Sequence, residues 1–196
     1  MKRHELKELY YIASIDNVSS ILHHGILSHA RAARFQHTSV AMQAVQDRRS
    51  RVVVPGGRKL HEYANLYICA RNPMLFTLRG RHRQLCVLAV SPEVLGREGV
   101  VITDANASVD YVRFAPAPDG LRIVDRERTF AEYWTGSDQI ADYRKKAAKC
   151  AEVLVPDLVE PRFLWRAYVA VQEVKARLDA LTTGLEVEID RHLFFM

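Results

Sequence analysis

Short apolar segments recur along the chain, and turn residues separate them. Their β-branched and aromatic residues are typical of strands in a packed sheet. The strand candidates are, in order, LYYIAS, NLYICA, LCVLAV, GVVITDANAS (a strand that runs into a loop before VDYVRF), AEVLVP and the alternating LEVEIDRHLFF. We expect the last of these to be an edge strand.

Helices are predicted between the strands. Asp16 or Asn17 is a plausible N-cap for a helix over NVSSILHH, and Gly25 is a natural stop. A turn or two of helix is possible in AMQAVQDRR, and residues 127–150 are charged and helix-prone. A helix is also predicted over EVKARLDAL, whose apolar residues fall on one helical face. With no internal repeat or linker, residues 1–196 are expected to form one α+β domain, a central mostly antiparallel sheet with flanking helices.

Composition narrows the functional classes. The 196 residues carry 28 Lys and Arg against 23 Asp and Glu, a formal charge of +5, which permits contact with nucleic acid or an anionic cofactor without requiring it. No apolar run approaches the roughly 20 residues that span a bilayer, so no membrane contact is expected. Cys69, Cys86 and Cys150 form no CxxC pair and fit buried, reduced thiols in a cytoplasmic protein.

Several common site motifs are absent or incomplete. His61-Glu62-Tyr63-Ala64-Asn65 begins like the HExxH of zinc peptidases, but Asn65 replaces the second histidine. We therefore predict no metal. The chain has no GxSxG elbow, no GxGxxG and no P-loop, so any nucleotide must bind by another arrangement.

Two charged features stand out. Arg48, Arg49 and Arg51 lie beside a Pro-Gly-Gly break, and guanidinium forks suit a pyrophosphate or nucleic-acid backbone; a solvated basic face is the alternative. Glu152 begins the apolar segment EVLVP directly after a basic stretch that ends at Lys149. It is a candidate functional carboxylate, with an edge-strand glutamate paired to a lysine as the alternative.

Seven segments, in order, resemble the sequence pattern of DarT-type toxins. The first resembles the family's YHIT…I.N…IL..G opening, and together they extend over nearly the whole chain. They are residues 9–17 continued by Ile21, Leu22 and Gly25, then 46–49, 54–55, 60–63, 70–75, 103–107 and 151–155. The resemblance implies an ADP-ribosyltransferase fold and transfer of ADP-ribose from NAD⁺ to a base of single-stranded DNA.

The resemblance also assigns residue roles. It places the catalytic glutamate at Glu152 and the essential arginine, which also contacts NAD⁺, at Arg48. Residues 33–50 would fold over the dinucleotide. The remaining NAD⁺ contacts are expected at Tyr11, Ile12 and Ala13, which would hold the nicotinamide amide through the backbone, and at Ser20 and Ser28.

The acceptor and the partners follow from the same resemblance. Tyr11 and Ala13 stand where thymine-modifying members carry His and Thr, so thymine and guanine both remain open as the target base. A cognate antitoxin, a macrodomain or similar ADP-ribosyl hydrolase, is expected to reverse the mark. Tyr143 or Trp134 is available for base stacking, although core packing is the favoured reading of Trp134. The cations expected to hold the DNA are Arg79, Arg81, Arg83, Arg144, Lys145 and Lys146.

Two other functions stay open. A transferase of the same fold that acts on RNA or protein would have a similar NAD⁺ site. A catalytically inactive DNA-binding module would share the basic surface but would not consume NAD⁺.

Overall fold

A computed structural model describes residues 1–181 and 184–196. The described strands are β1 (Leu9–Ser14), β2 (Ile26–Leu27), β3 (Tyr63–Tyr67), β4 (Leu85–Val90), β5 (Val101–Thr103), β6 (Phe114–Pro116), β7 (Glu152–Pro156), β8 (Leu158–Val159), β9 (Leu164–Val169) and β10 (Glu186–Ile189). Eight of them form one sheet in the order β10-β9-β4-β1-β3-β7-β5-β6, and β2 pairs with β8 in a small second sheet. All described pairings are antiparallel except β9 with β10.

The described α-helices are short. They are α1 (Val18–His24), α2 (His29–Ala32), α3 (Gln43–Arg49), α4 (Pro73–Thr77), α5 (Arg126–Thr129), α6 (Gln139–Ala148) and α7 (Gln172–Leu181). Turns of 3-10 helix occupy Arg3–Glu5, Ile15–Asn17, Leu60–Glu62, Arg79–Gln84, Pro92–Gly96, Asp119–Ile123 and Pro161–Phe163. The helix-prone segment 127–150 is thus divided between α5 and α6 by a non-helical stretch.

Apolar patterning explains which strands lie at the centre. All six residues of β4, LCVLAV, are buried, because this strand lies between β1 and β9 and both of its faces are covered. The first part of the predicted C-terminal edge strand LEVEIDRHLFF, Glu186–Ile189, forms β10 at the edge of the sheet, whereas the rest of that segment is not strand. The mixed α+β architecture with a mostly antiparallel central sheet is confirmed.

Gly25 ends α1 as expected and also fixes the position of β2. Its φ of +85° lies in the left-handed region, and a Cβ there would come within 2.3 Å of the Val159 carbonyl oxygen on β8. Only glycine therefore permits this close approach of the two backbones.

β7 carries Glu152 into the interior of the sheet. This strand lies between β3 and β5, with Glu152 opposite Tyr67 and the following residues Val153, Leu154 and Val155 fully buried. The alternative of an edge-strand glutamate paired with a lysine is wrong. Lys149 turns away and donates its Nζ to the carbonyl of Ala131 at 2.7 Å.

Candidate active site

The carboxylate of Glu152 is completely buried and fully hydrogen-bonded. Arg49 donates Nη1 to Oε1 at 2.8 Å and Nη2 to Oε2 at 2.9 Å. The backbone N–H of Ala107 donates to Oε1 at 3.1 Å, and the Glu152 N–H donates to Thr103 Oγ1 at 3.0 Å. A buried carboxylate can stay ionised only when it is paired with a cation and hydrogen-bonded, and Arg49 and the Ala107 N–H provide both.

The arginine at this carboxylate is Arg49 and not Arg48. Both lie at the C-terminal end of α3, but successive helical residues point about 100° apart, so only one can face β7. Arg49 is 5% exposed, whereas the Arg48 side chain is on the exposed side of the helix. The essential arginine was expected at Arg48, but the guanidinium at Glu152 belongs to its neighbour Arg49, because the sequence pattern QDRR alone does not decide which of the two side chains turns inward.

Electrostatics hold this pair together. Burial acts to lower the pKa of the Arg49 guanidinium, but the charge and hydrogen bonds of Glu152 outweigh it, so the pKa is raised. Burial, with the nearby Glu152 charge, also raises the pKa of Tyr67 well above its ordinary value. Its hydroxyl donates to the Met74 sulfur at 2.8 Å. The groups beside the carboxylate thus include the cation Arg49 and a neutral phenol.

A cavity of about 310 Å³ opens beside Arg49. Its floor includes Tyr11, Ile12 and Ala13 of β1, the backbone stretch expected to hold nicotinamide. Residues 37–42 and the first turn of α3 form a wall, as expected for a segment that folds over a dinucleotide. The lining mixes apolar with polar side chains, and a concave site of this kind is where small molecules commonly bind.

The two serines expected at NAD⁺ lie elsewhere. Ser20 is exposed on α1 and does not line the cavity. Ser28 is buried, and its hydroxyl caps α2 by accepting from the Arg31 N–H at 3.3 Å. Ser28 lines a second pocket of about 590 Å³ instead.

The expected DNA-binding cations form two groups. Arg79, Arg81 and Arg83 are exposed on the 3-10 helix that follows α4, and Arg83 makes a salt bridge of 3.0 Å to Glu173. The second group lies on α6, where Arg144 and Lys146 are exposed and Lys145 is half-buried. Only the α6 group belongs to the segment that leads directly into Glu152.

An exposed tyrosine pair accompanies the α6 cations. Tyr143 of α6 and Tyr111 are 57% and 49% exposed, and their ring centroids are 6.0 Å apart in an edge-to-face arrangement. The segment that carries Tyr111 also provides Ala107, whose N–H contacts Glu152, and Asn106, whose N–H donates to Ala147 of α6 at 3.2 Å. Trp134, by contrast, is only 9% exposed and packs as core.

Two histidines complete the cavity wall. The rings of His29 and His61 are 4.1 Å apart with an interplanar angle of 32°, and both residues line the cavity. Burial lowers the pKa of each ring, and the positive charge of Arg49 acts in the same direction. Sequence reasoning missed His29 and dismissed His61 with the incomplete zinc motif.

Two further observations concern the described residues, 1–181 and 184–196. None of their helices has the length and apolar character needed to cross a membrane. No cluster of three or more His, Cys, Asp or Glu side chains among them could hold a metal ion.

Comparison with known proteins identifies the family. A family model described as "ssDNA thymidine ADP-ribosyltransferase, DarT" matches residues 10–195. The chain belongs to the DarT family. This membership agrees with the resemblance carried by the seven sequence segments, and it extends over nearly the whole chain.

Individual relatives agree with this assignment. A DNA ADP-ribosyl transferase-DNA ADP-ribosyl glycohydrolase fusion protein of Thermosipho africanus is 35% identical over 204 residues, covering 97% of this chain and 50% of that protein. This DarT-family chain therefore spans about half the length of that relative. A DNA ADP-ribosyl transferase of Thermus aquaticus is 30% identical over 185 residues, covering 88% of this chain and 79% of that protein.

A solved structure confirms the ADP-ribosyltransferase-like fold. Thermus sp. 2.9 DarT in complex with ADP-ribosylated ssDNA matches with a TM-score of 0.83 at 26% identity, covering 96% of both chains. The DarT-family fold thus accounts for essentially the entire sheet and its helices.

Proposed function

We propose that this protein transfers ADP-ribose from NAD⁺ to a base of single-stranded DNA. The observation that carries the proposal is the buried Arg49–Glu152 pair beside a cavity whose floor is the β1 backbone. Family membership supports the reaction class, and the product-bound Thermus sp. 2.9 structure supports single-stranded DNA as the acceptor. The 196 residues would act as one transferase domain.

NAD⁺ enters this scheme as a substrate. Tyr11, Ile12 and Ala13 line the cavity as part of β1, where backbone groups can hold the nicotinamide amide. Residues 37–42 cover the opposite side. Apolar and polar side chains both line the pocket, which suits a dinucleotide with apolar rings and polar riboses.

The reaction needs a carboxylate at the anomeric carbon. The bond from that carbon to nicotinamide breaks, its electron pair leaves with the neutral nicotinamide, and an oxocarbenium-like centre remains. A nitrogen of the acceptor base then bonds to the carbon and loses its proton. Glu152 stabilises the developing positive charge and accepts this proton.

Arg49 must change partners for Glu152 to act. Arg49 lines the cavity, whereas both oxygens of the fully buried Glu152 are occupied by the guanidinium. A phosphate offers a guanidinium the same bidentate geometry as a carboxylate. We expect the pyrophosphate of NAD⁺ to draw Arg49 away, so that substrate binding itself frees the carboxylate.

The acceptor strand is expected to cross the surface of α6. Arg144 and Lys146 provide exposed positive charge there, and Tyr111 and Tyr143 provide two exposed aromatic faces. Aromatic stacking combined with backbone cations is the usual way to bind single strands without strict sequence readout. Arg79, Arg81 and Lys145 would extend this basic surface.

Thymine is the first base to test, because the description of the family model names thymidine. The changes at Tyr11 and Ala13 leave guanine as the other outcome. The glycohydrolase half of the Thermosipho africanus fusion protein supports a proposed partner, an antitoxin that hydrolyses the ADP-ribosyl mark.

The experiment that tests the proposal uses separate acceptors. The protein is incubated with NAD⁺ and single-stranded DNA, RNA or protein, with Glu152→Gln as the matched control. A single ADP-ribose on DNA alone, absent with the variant, is expected. Modification of RNA or protein instead of DNA would show that single-stranded DNA is not the acceptor. If NAD⁺ is not consumed with any acceptor, the protein is an inactive binding module.

A further inference from the structure

Asn106 lines the cavity, and only one half of its side-chain amide has a partner. Its Oδ1 accepts hydrogen bonds from the Ser108 N–H at 3.0 Å and from the Ser108 hydroxyl at 2.7 Å. Because a backbone N–H can only donate, the atom that faces it must be the amide oxygen, and Nδ2 keeps its two N–H donors. Within residues 1–181 and 184–196, this Nδ2 donates to no acceptor.

The free Nδ2 is also open to solvent. Asn106 is half-buried, and in the described part of the chain the side-chain nitrogen or oxygen that is both unpaired and closed to solvent is His61 Nε2. Nδ2 of Asn106 is therefore unpaired and accessible at the same time. An accessible, unpaired donor on the wall of a cavity suits a ligand that offers a hydrogen-bond acceptor there.

The surrounding loop fixes the orientation of this amide. The Asn106 N–H donates to the Ala147 carbonyl on α6 at 3.2 Å, and the Asn106 carbonyl accepts from the Val109 N–H at 3.1 Å. Together with the two contacts from Ser108, these hydrogen bonds restrain both the backbone and the side chain. A donor that is already oriented loses little conformational entropy when its ligand binds.

The same loop contacts the carboxylate to which we assign the acceptor's proton. Ala107, the residue after Asn106, donates its N–H to Glu152 Oε1 at 3.1 Å. In the proposed reaction the bond from the anomeric carbon to nicotinamide breaks, a base nitrogen bonds to that carbon, and the nitrogen's proton passes to Glu152. The reacting nitrogen must therefore meet Glu152, which brings the adjoining edge of the base to the loop that carries Asn106.

The chemistry of the bases restricts what lies at that edge. In thymine the one nitrogen that carries a proton in DNA is N3, and the acceptors O2 and O4 flank it on both sides. Guanine likewise has a ring N–H, at N1, beside the acceptor O6. Cytosine and adenine have no ring N–H on this edge and carry their protons on an exocyclic amino group.

We propose that Asn106 Nδ2 donates a hydrogen bond to the carbonyl oxygen next to the reacting ring nitrogen of the acceptor base. Glu152 would take the ring proton and Asn106 would read the adjacent oxygen, a pair of contacts that thymine or guanine can satisfy. Asn106 is thus a specificity-determining residue for the acceptor. The inference rests on the proposed function, because it assumes transfer to a base.

The test combines a change in the protein with a change of one atom in the base. We would measure kcat/KM with an oligonucleotide that contains one target base, and again with 4-thiothymine, 2-thiothymine or 6-thioguanine in its place. Sulfur is a weak acceptor, so one analogue should lower kcat/KM of the wild type about tenfold. Asn106→Ala should lose about tenfold with the natural base and nothing further from the loss of this contact with that analogue. Comparing the two ratios cancels any effect of sulfur on the acidity of the ring N–H.

Two further variants separate recognition from folding. Asn106→Asp keeps the oxygen that Ser108 needs but replaces the amide donor by an acceptor, so it should be at least as impaired as Asn106→Ala and equally indifferent to the lost contact. Gln172→Ala removes an exposed carboxamide at the start of α7 and should keep the sulfur dependence of the wild type. A purely structural role would lower Tm in the Asn106 variants and reduce kcat/KM equally for the natural and the sulfur-containing base.

Two results would overturn the inference without touching the proposed function. The first is the same sulfur dependence in the wild type and in both Asn106 variants, for every analogue of the target base. The second is transfer to cytosine or adenine, which would leave DNA as the acceptor but remove the carbonyl contact. If folded wild-type protein modifies no DNA base, the proposed function fails and this inference fails with it.

Discussion

Replacing Arg49 by alanine should disrupt the protein far more than replacing Arg48. Arg49 is 5% exposed and makes two hydrogen bonds of 2.8 and 2.9 Å to a carboxylate that is 0% exposed. Its removal leaves Glu152 buried with one remaining donor to its carboxylate, the Ala107 N–H. Arg48 sits on the exposed side of the same helix, so it is a matched control of the same residue type.

The expected magnitude follows from the buried charge. Breaking a buried ion pair by removing one partner typically costs about 3–5 kcal/mol, whereas exposed substitutions stay within about 0.5 kcal/mol. Arg49→Lys should recover only part of the loss, because an ammonium cannot form the bidentate contact. Replacing both partners by methionine should restore much of the stability, because no unpaired charge then remains.

Urea unfolding at neutral pH measures these differences. The cycle of Arg49→Met, Glu152→Met and the double variant should give a coupling energy of at least about 2 kcal/mol. NAD⁺-dependent transfer should disappear in Arg49→Ala and persist in Arg48→Ala. Equal stability losses for the two alanine variants, or a coupling energy near zero, would refute the assigned pairing.

Three further predictions concern chemistry, acceptor binding and pH. Glu152→Gln should abolish transfer, measured as turnover, while calorimetry should still show NAD⁺ binding. Turnover near the wild-type rate would show that Glu152 has no catalytic role. Replacing Tyr111 and Tyr143 by alanine should raise KM for a DNA oligonucleotide about 10- to 100-fold with NAD⁺ affinity unchanged, whereas the exposed Trp165→Ala on β9 should have no effect. Folding lowers the pKa of His61 below its ordinary value of 6.5, so the contribution of this histidine to the free energy of unfolding should be fully present above pH 6.5. That contribution should be lost as the pH falls through the pKa of His61 in the folded protein, and His61→Phe should reduce the loss measured by urea unfolding. A pH profile of His61→Phe identical to wild type would contradict a lowered pKa at His61.

The strands that carry a strong local signal were predictable from sequence, whereas β2, β8 and β9 were not predicted as strands. LCVLAV coincides with β4 at both ends, and the predicted AEVLVP begins one residue before β7 and ends with it. β-Branched runs bounded by turn residues need little tertiary information, and Gly25 marks the end of α1 through its backbone conformation. The parallel pairing of β10 with β9 has no such local signal, since it depends on where α7 returns the chain.

The site was predictable only in part. Glu152 stands out because a carboxylate at the start of an apolar strand is unusual, but its partner comes from 103 residues earlier in the chain. Which of two adjacent arginines faces it depends on the rotation of α3 against the sheet, and residue type does not encode that rotation. His29 and Tyr111 were missed for the same reason, because each acquires its significance from a residue distant in sequence.

The most direct test of the central claim uses single-stranded oligonucleotides that each lack one base. Each is incubated with the protein and NAD⁺, and the product mass is read. The account predicts a gain of one ADP-ribose that vanishes only when one particular base, thymine in the first instance, is missing. No adduct on any DNA, from protein that is folded and binds NAD⁺, would contradict DNA as the substrate.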